Sequence, residues 1–272
     1  MRIFNGKSLS IAIAAFSFLA SAVHAEEKQH ETHYSVTFGG LEIGKAKFNI
    51  ASNGKTYSVN GKGGTSGLAS WFAPTTGNVA SIGAVSNNAL KPQTHSVSVL
   101  ERKKKPESVK LGFTNERVTD VEIVSAKKRK VRKAPAYIPV EDKHLVSVLD
   151  PASPMIIPVN ADGTLNGSTV CNNKFPIFDG ETRYDIELKY KSTRKIKTSG
   201  YKGYAYVCQL RYIPVAGHKK SHRNVKEMAK NKNMELWLAP MSGMSAFTPI
   251  KIVIGTKYGR FIAKPTYFGS PT

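Results

Sequence analysis

Hydrophobic and polar residues alternate with a period of two along most of this chain. In residues 184–190 the apolar side chains fall on even positions and the charged ones on odd positions. The same alternation recurs in residues 204–212, 234–238 and 250–254. One apolar and one polar face are typical of antiparallel strands covered on a single side. The pattern therefore predicts an all-β protein.

The N-terminal half has the same period and adds signals for bends and turns. In residues 41–50 the apolar positions change parity at Gly44, which is typical of a β-bulge. Asn53-Gly54 predicts a tight hairpin turn. Helix signals are short and few, and they fall in residues 66–72, 144–153 and 224–230.

The first 25 residues have the composition of a secretory signal peptide. Arg2 and Lys7 precede a short apolar core, and Val23-His24-Ala25 predicts cleavage after Ala25. We therefore expect export to the periplasm and a single β domain over residues 26–272. No stretch of the mature chain has the apolar length of a transmembrane helix, so we expect no such segment there.

Cys171 and Cys208 are the two cysteines of the chain, and both belong to the expected mature part. In an oxidising compartment two thiols usually pair. A redox pair and a pair of metal ligands are the alternatives, but both usually need closer spacing. We predict a structural disulfide, whose loop of about 38 residues would contribute roughly 4 kcal/mol in the chain-entropy model.

The chain is strongly basic, with 40 Lys and Arg against 19 Asp and Glu and a net charge of +21. Loss of Arg2 and Lys7 leaves 38 basic and 19 acidic residues, or +19. Such a field attracts anions. The candidate partners of an exported protein are lipids, acylated molecules and anionic envelope components, whereas nucleic acid lies in another compartment. The alternative is that the charge serves solubility alone.

Much of this charge lies in the run "KKRKVRK", residues 127–133. We interpret residues 127–139 as a basic loop between the N- and C-terminal sections of the domain. Such runs are usually solvated loops. As a hypothesis, four of its residues form a surface that binds anions: Lys127, Lys128, Arg129 and Lys130.

The acidic residues of "IFDGETRYDIE" do not have a catalytic pattern. Asp179-Gly180 is a favoured turn pair. Asp185 and Glu187 share the polar face of one strand, where solvent or a cross-strand partner such as Arg211 is expected. Catalytic carboxylates normally converge from different elements.

Hydrolase motifs give no credible site, because the Ser-x-x-Lys at Ser52–Lys55 falls in a hairpin turn and that at Ser125–Lys128 falls in the basic run. There is neither Gly-x-Ser-x-Gly nor His-Glu-x-x-His, and the glycine-rich residues 61–67 lack the order of a phosphate-binding loop. We interpret residues 61–67 as a bend between a strand and a short helix. We predict no catalytic, cofactor-binding or metal-binding residues, and we expect that the protein is not an enzyme.

Trp71 and Phe72 stand before a proline in "GLASWFAP". Core packing is the expected role of such large apolar side chains. The alternative is that they lie at the mouth of a curved sheet and contact a ligand. We keep this second role as a hypothesis for a ligand trough.

Several stretches resemble those of the DUF3108 family, exported bacterial proteins of unknown function. They span Tyr34 to Pro240 and include "YSVTFGGLEIGKAKFNI", "TSGLASWFAP", "LDPAS", "KFPIFDGETRYDIEL", "GYAYVCQLRYIPVAGH" and "MELWLAP". The resemblance implies no catalytic residues. By analogy with periplasmic lipoprotein carriers, it implies a strongly curved antiparallel sheet, a β-spiral or incomplete barrel with a few short helices. The heavy basic runs of this chain depart from the family pattern.

These observations favour a non-enzymatic protein of the cell envelope that binds an amphiphilic ligand or an envelope partner. A half-open barrel would offer an apolar trough for such a ligand. The alternative is a scaffold that binds peptidoglycan or an outer-membrane protein through its basic surface. An envelope hydrolase would require a cleft in which histidine and carboxylate groups converge.

Overall fold

A computed structural model describes residues 26–125, 136–160 and 165–271. The predicted signal peptide and the basic run 127–133 lie outside these described residues. Within them, no helix is long and apolar enough to cross a membrane.

The described part of the chain contains fourteen strands that join one antiparallel sheet. The predicted all-β class is therefore confirmed. The strands are β1 Lys28–Phe38, β2 Leu41–Ser52, β3 Thr56–Thr65, β4 Thr75–Ser86, β5 Ala89–Glu101, β6 Glu107–Thr114, β7 Arg117–Val124, β8 Ile157–Pro158, β9 Lys174–Phe178, β10 Arg183–Thr198, β11 Tyr201–Ala216, β12 Met234–Pro240, β13 Ala246–Thr256 and β14 Gly259–Gly269.

Helices are short in the described residues. They are α1 Ala69–Phe72, α2 Gly167–Cys171 and α3 Arg223–Lys230. The first and third lie where the sequence predicts helix, whereas α2 was not predicted.

The helix predicted over residues 144–153 is wrong. Two 3-10 turns, Asp142–Leu145 and Ser153–Met155, flank an extended segment instead. In that segment Val146 makes a β-bridge to Arg117, and Leu149 makes one to Ile177. Backbone pairing with two strands thus outweighs the local helical preference.

The first strand lies in the middle of the sheet. Strand β1 pairs with β2 on one side and with β14 on the other. The N-terminal half extends from β2 to the edge strand β7, and the C-terminal half extends from β14 to the edge strand β9. Residues 146–149 bridge both edge strands, so the sheet curls into an incomplete barrel.

Bulges contribute to this curvature. The β1–β2 register shifts opposite Val36 and Thr37, where Ile43 is the extra residue beside Gly44. This is the bulge that the parity change predicts. A further shift lies between Ile82 and Gly83 of β4. Bulges bend the strand that contains them and increase its twist.

The main core clusters of the two halves lie on one face of the sheet, which we call the inner face, and a smaller cluster packs on the opposite face of β11 and β12. In the N-terminal half Ile50 and Val59 pack against Ala152 and Ile156, which belong to the segment that follows the bridging residues. The opposite, outer face of β2–β6 is polar. This division places an apolar interior beside the segment 146–156.

Candidate functional site

The disulfide between Cys171 and Cys208 holds the core of the C-terminal half, as predicted. Cys171 ends α2, whose N-terminus is capped by the Asn166 side chain. Both cysteines are buried in a cluster with Leu188, Leu238 and other apolar residues. The bond therefore fixes α2 against β10 and β11.

Asp179 and Gly180 form the predicted turn. The Asp179 carboxylate accepts hydrogen bonds from the backbone N–H groups of Glu181 at 2.9 Å and Thr182 at 2.7 Å. Gly180 has a φ of +98°, which is unfavourable for other residues. This part of the acidic segment is therefore a folding device.

The nearby Asp185 has a cross-strand partner, as expected, but this partner is Lys174 of β9 and not Arg211. Asp185 is buried, and its carboxylate contacts Lys174 Nζ at 2.9 Å and Arg183 Nη1 at 2.5 Å. Arg211 lies opposite Glu187 in the β10–β11 register. The negative charge of Asp185 is balanced by Lys174 of β9 and by Arg183 of its own strand, because both place a cation on the same side of the sheet.

An apolar depression lies on the inner face of β2–β5 because two adjacent rows of the sheet contain glycine. In one row Ala46, Gly63, Gly77 and Val99 are successive cross-strand neighbours. In the next row the neighbours are Phe48, Gly61, Val79 and Val97. Glycines in the middle of a row leave the space that side chains would fill. We call this depression the trough.

The trough has a volume of about 420 Å³, within the range of small-molecule sites. Gly61 is required by close packing, since a Cβ there would lie 2.5 Å from Cε1 of Phe48. Gly77 is less restricted, because the nearest atom to its Cβ would be the Ser98 carbonyl oxygen at 3.3 Å. The glycines of residues 61–64 thus lie within β3 and not in the bend predicted for them.

Trp71 and Phe72 are 77% and 87% exposed, so the expectation that they pack in the core is wrong. Their helix α1 directly connects Thr65 and Thr75, and both of these threonines line the trough. The two aromatic side chains therefore stand beyond one end of the trough. Ligand contact by these side chains stays a hypothesis.

A buried polar network lies farther along the inner face, and the sequence did not reveal it. Asp150 Oδ1 accepts a hydrogen bond from Ser81 Oγ at 2.7 Å and lies 3.0 Å from His95 Nδ1. The same oxygen accepts the backbone N–H groups of Ala152 and Ser153, and Ser153 Oγ donates to Oδ2. Burial raises the pKa of the Asp150 carboxyl. The contacts with His95, Ser153 and Ser81 lower this pKa by more than burial raises it, so the pKa lies below the usual range.

These three residue types occur in hydrolases, but their arrangement here is different. A nucleophilic serine bonds one ring nitrogen of its histidine while the carboxylate bonds the other. Here Ser81 Oγ and Asp150 Oδ1 both contact His95 Nδ1, at 2.8 and 3.0 Å. All three side chains are buried. The network joins β4 and β5 to the 150–153 turn. Two of its members, Asp150 and Ser153, belong to the stretch "LDPAS" of the sequence.

The outer face of the same strands forms a polar groove of about 680 Å³. Lys47 and Lys62 are direct cross-strand neighbours there, an unfavourable pairing of like charges. Lys47 contacts Glu31 at 2.7 Å, whereas Lys62 has no ion-pair partner within the described residues. The groove is also lined by Asn49, Asn60, Asn78, Ser96, Ser98, Ser108 and Lys110.

Comparisons with known proteins give a family and a fold. The family model described as "Protein of unknown function (DUF3108)" matches residues 33–264. No curated protein matches the chain. A crystal structure described as a beta-barrel-like protein of domain of unknown function DUF1849, from Brucella abortus, is similar with a TM-score of 0.51 and 9% identity. The similarity covers 90% of this chain and 98% of that chain, and at this identity it shows the fold alone.

Proposed function

This chain belongs to the DUF3108 family, and we propose that it is a non-enzymatic protein of the cell envelope that binds an amphiphile in its trough. The observation that carries the proposal is the glycine row across the inner face, in which Gly63 and Gly77 lie opposite each other. Side chains at these positions would complete the core. Their absence leaves apolar surface open beside a packed interior.

The surroundings of the trough suit a ligand with one apolar and one polar end. Val79, Val97 and Val99 supply apolar walls, and Thr65 and Thr75 supply polar groups at the end nearest α1. Apolar walls with a few polar groups are typical of small-molecule sites. The apolar part of an amphiphile would lie in the trough, and its polar head group would face the threonines at the end nearest α1. The periplasmic location expected from residues 1–25 would supply such molecules.

The test is mass spectrometry of the mature protein, residues 26–272, purified from a bacterial periplasm. We expect a stoichiometric lipid or acylated molecule under native conditions, released by solvent extraction. Gly77→Val should abolish its capture by filling the trough. Ala80→Val is the matched control, since it enlarges a side chain on the outer face of the same strand. A protein that carries no amphiphile and takes up none from solution would overturn the proposal.

A second candidate function is a scaffold that binds an anionic glycan such as peptidoglycan through the polar groove. The adjacent Lys47 and Lys62 favour it, because a bound anion would relieve their repulsion. Co-sedimentation with isolated peptidoglycan tests it. Lys62→Glu should release the protein if the groove is the site, while binding unchanged by this variant would exclude the groove.

A further inference from the structure

Three turns of the N-terminal half and the turn between β13 and β14 lie together at one end of the sheet. They are residues 39–40, 66–74, 102–106 and 257–258. Neighbouring turns are joined by backbone hydrogen bonds of 3.0 to 3.1 Å, from Gly39 N to Arg260 O, from Ser66 N to Ile43 O and from Arg102 N to Pro74 O. We call this continuous end of the sheet the aromatic edge.

The aromatic edge exposes large apolar side chains. Leu41 is 69% exposed, Leu68 62% and Tyr258 78%, in addition to Trp71 and Phe72. Three consecutive turns contribute to this set, and all of its members lie on or beside the turns. Scattered apolar residues need no explanation, but grouped ones mark interaction sites.

Basic residues lie between these apolar groups. The β5–β6 turn contains Arg102, Lys103 and Lys105, and none of the three forms an ion pair within the described residues. Lys257 contacts Glu227 at 3.2 Å and also lies 4.9 Å from the ring centroid of Tyr258. The edge therefore combines exposed rings with basic side chains, three of which have no ion-pair partner within the described residues.

We propose that the aromatic edge docks onto an anionic lipid surface. Tryptophan and other amphipathic rings favour the boundary between head groups and acyl chains, and lysines near it are attracted to anionic lipids. A second copy of this chain fits poorly, because docking edge to edge would bring like charges together in a mature protein of net charge +19 (38 basic and 19 acidic residues). Charge complementarity thus selects a negative partner, and the protruding rings select one with an accessible apolar interior.

The trough opens toward this edge, since Thr65 and Thr75 line it and α1 connects them. Docking would place the open end of the trough next to the lipid. The inference goes beyond amphiphile binding and does not require it, because the residues of the edge do not include the valines and glycines of the trough.

The intrinsic fluorescence of tryptophan can report docking. Trp71 and Trp237 are its two tryptophans, so Trp237→Phe leaves a single tryptophan on the edge. Vesicles of phosphatidylcholine mixed with phosphatidylglycerol should shift the Trp71 emission of the mature protein to shorter wavelength. Vesicles of phosphatidylcholine alone should cause a smaller shift, as should high salt.

Vesicle flotation of the wild-type mature protein supplies the affinity. Trp71→Ser with Phe72→Ser should weaken binding about tenfold or more, since two large apolar groups lose their contact with lipid. Lys103→Glu with Lys105→Glu should weaken binding to anionic vesicles alone. Tyr204→Ser is the matched control, because Tyr204 is 58% exposed beside Lys195 but lies near the opposite end of the sheet.

Gly77→Val separates this inference from the proposed function. If docking is correct, the variant should float with vesicles as the wild type does, even where it captures no amphiphile. A Trp71 emission that does not respond to anionic vesicles would overturn docking. So would a dimer that depends on Trp71 and Phe72 and does not bind vesicles.

Discussion

The two halves of the sheet differ in how their inner faces are filled. Around the disulfide of the C-terminal half, Val170, Leu188 and Leu238 are completely or almost completely buried. In the N-terminal half, the end of the inner face nearest α1 contains Gly63 and Gly77 instead of large apolar side chains. Val99 beside them remains 36% exposed. The difference indicates that one half is fully packed while part of the other leaves apolar surface open.

The largest expected effect is loss of the disulfide. Replacing both cysteines with serine should lower the free energy of unfolding by roughly 4 kcal/mol, because it frees the denatured chain from a closed loop. Urea denaturation of the mature protein with and without the substitutions would measure it. A loss below about 1 kcal/mol would contradict the stabilising role of the C-terminal half.

The free energy of unfolding should depend on pH through His30, which lies in β1 where the two halves meet. This ring is buried against Phe268, and burial lowers its pKa to about 4. An unfolded histidine titrates near 6.5, so the stabilisation is complete above that pH and is lost as the pH falls toward 4. The loss should be about 3 kcal/mol.

His30→Leu provides the control, because neither ring nitrogen has a hydrogen-bond partner within the described residues. The variant should be at least as stable as the wild type at neutral pH and should lack this part of the pH dependence. Parallel curves for the two proteins between pH 6.5 and 4 would show that His30 is not buried in the neutral form.

Asp150 should make a smaller contribution that belongs to the N-terminal half. Its pKa lies below the usual range, so its stabilisation is present above an unfolded value of about 3.9 and is lost at lower pH. Asp150→Asn should cost about 2 kcal/mol at neutral pH by weakening charge-assisted hydrogen bonds. Thermal unfolding with ligand-free protein would measure the change, and no change would mean that the network does not hold the 150–153 turn.

The smallest effect is expected at the trough itself. Val99→Ala should cost less than about 1 kcal/mol, whereas Val170→Ala in the disulfide cluster should cost about 2 kcal/mol. The reason is that Val99 is partly exposed and Val170 is enclosed. Equal losses in urea denaturation would remove the distinction between a packed and an open inner face.

The strands and hairpin turns were predictable because their signals are local. Period-two alternation predicted β10, and Asn53-Gly54 and Asp179-Gly180 predicted turns that the structure contains. The central position of β1 was not predictable, since its pairing with β14 joins residues more than two hundred positions apart. No local pattern identifies such a partner.

The candidate site was predictable only in part, for the same physical reason. The two cysteines were correctly paired from their number and from the oxidising compartment expected for the chain. The trough arises from glycines of different strands that meet in one row, and Gly77 carries no signal of its neighbour Gly63. Hydrophobicity made core packing the default expectation for Trp71 and Phe72, with ligand contact as the alternative, and it does not reveal that α1 protrudes from the end of the sheet. Lys127, Lys128, Arg129 and Lys130 lie outside the described residues, so their anionic partner stays a prediction.

We propose above all that the open inner face of the N-terminal half binds the apolar part of an amphiphile. The most direct measurement is titration of the mature, delipidated protein with a fluorescent fatty acid, in parallel with Gly77→Val and Ala80→Val. We expect saturable binding to the wild type and to Ala80→Val, and loss of binding in Gly77→Val without loss of stability. Equal binding by all three proteins, or binding by none, would contradict it.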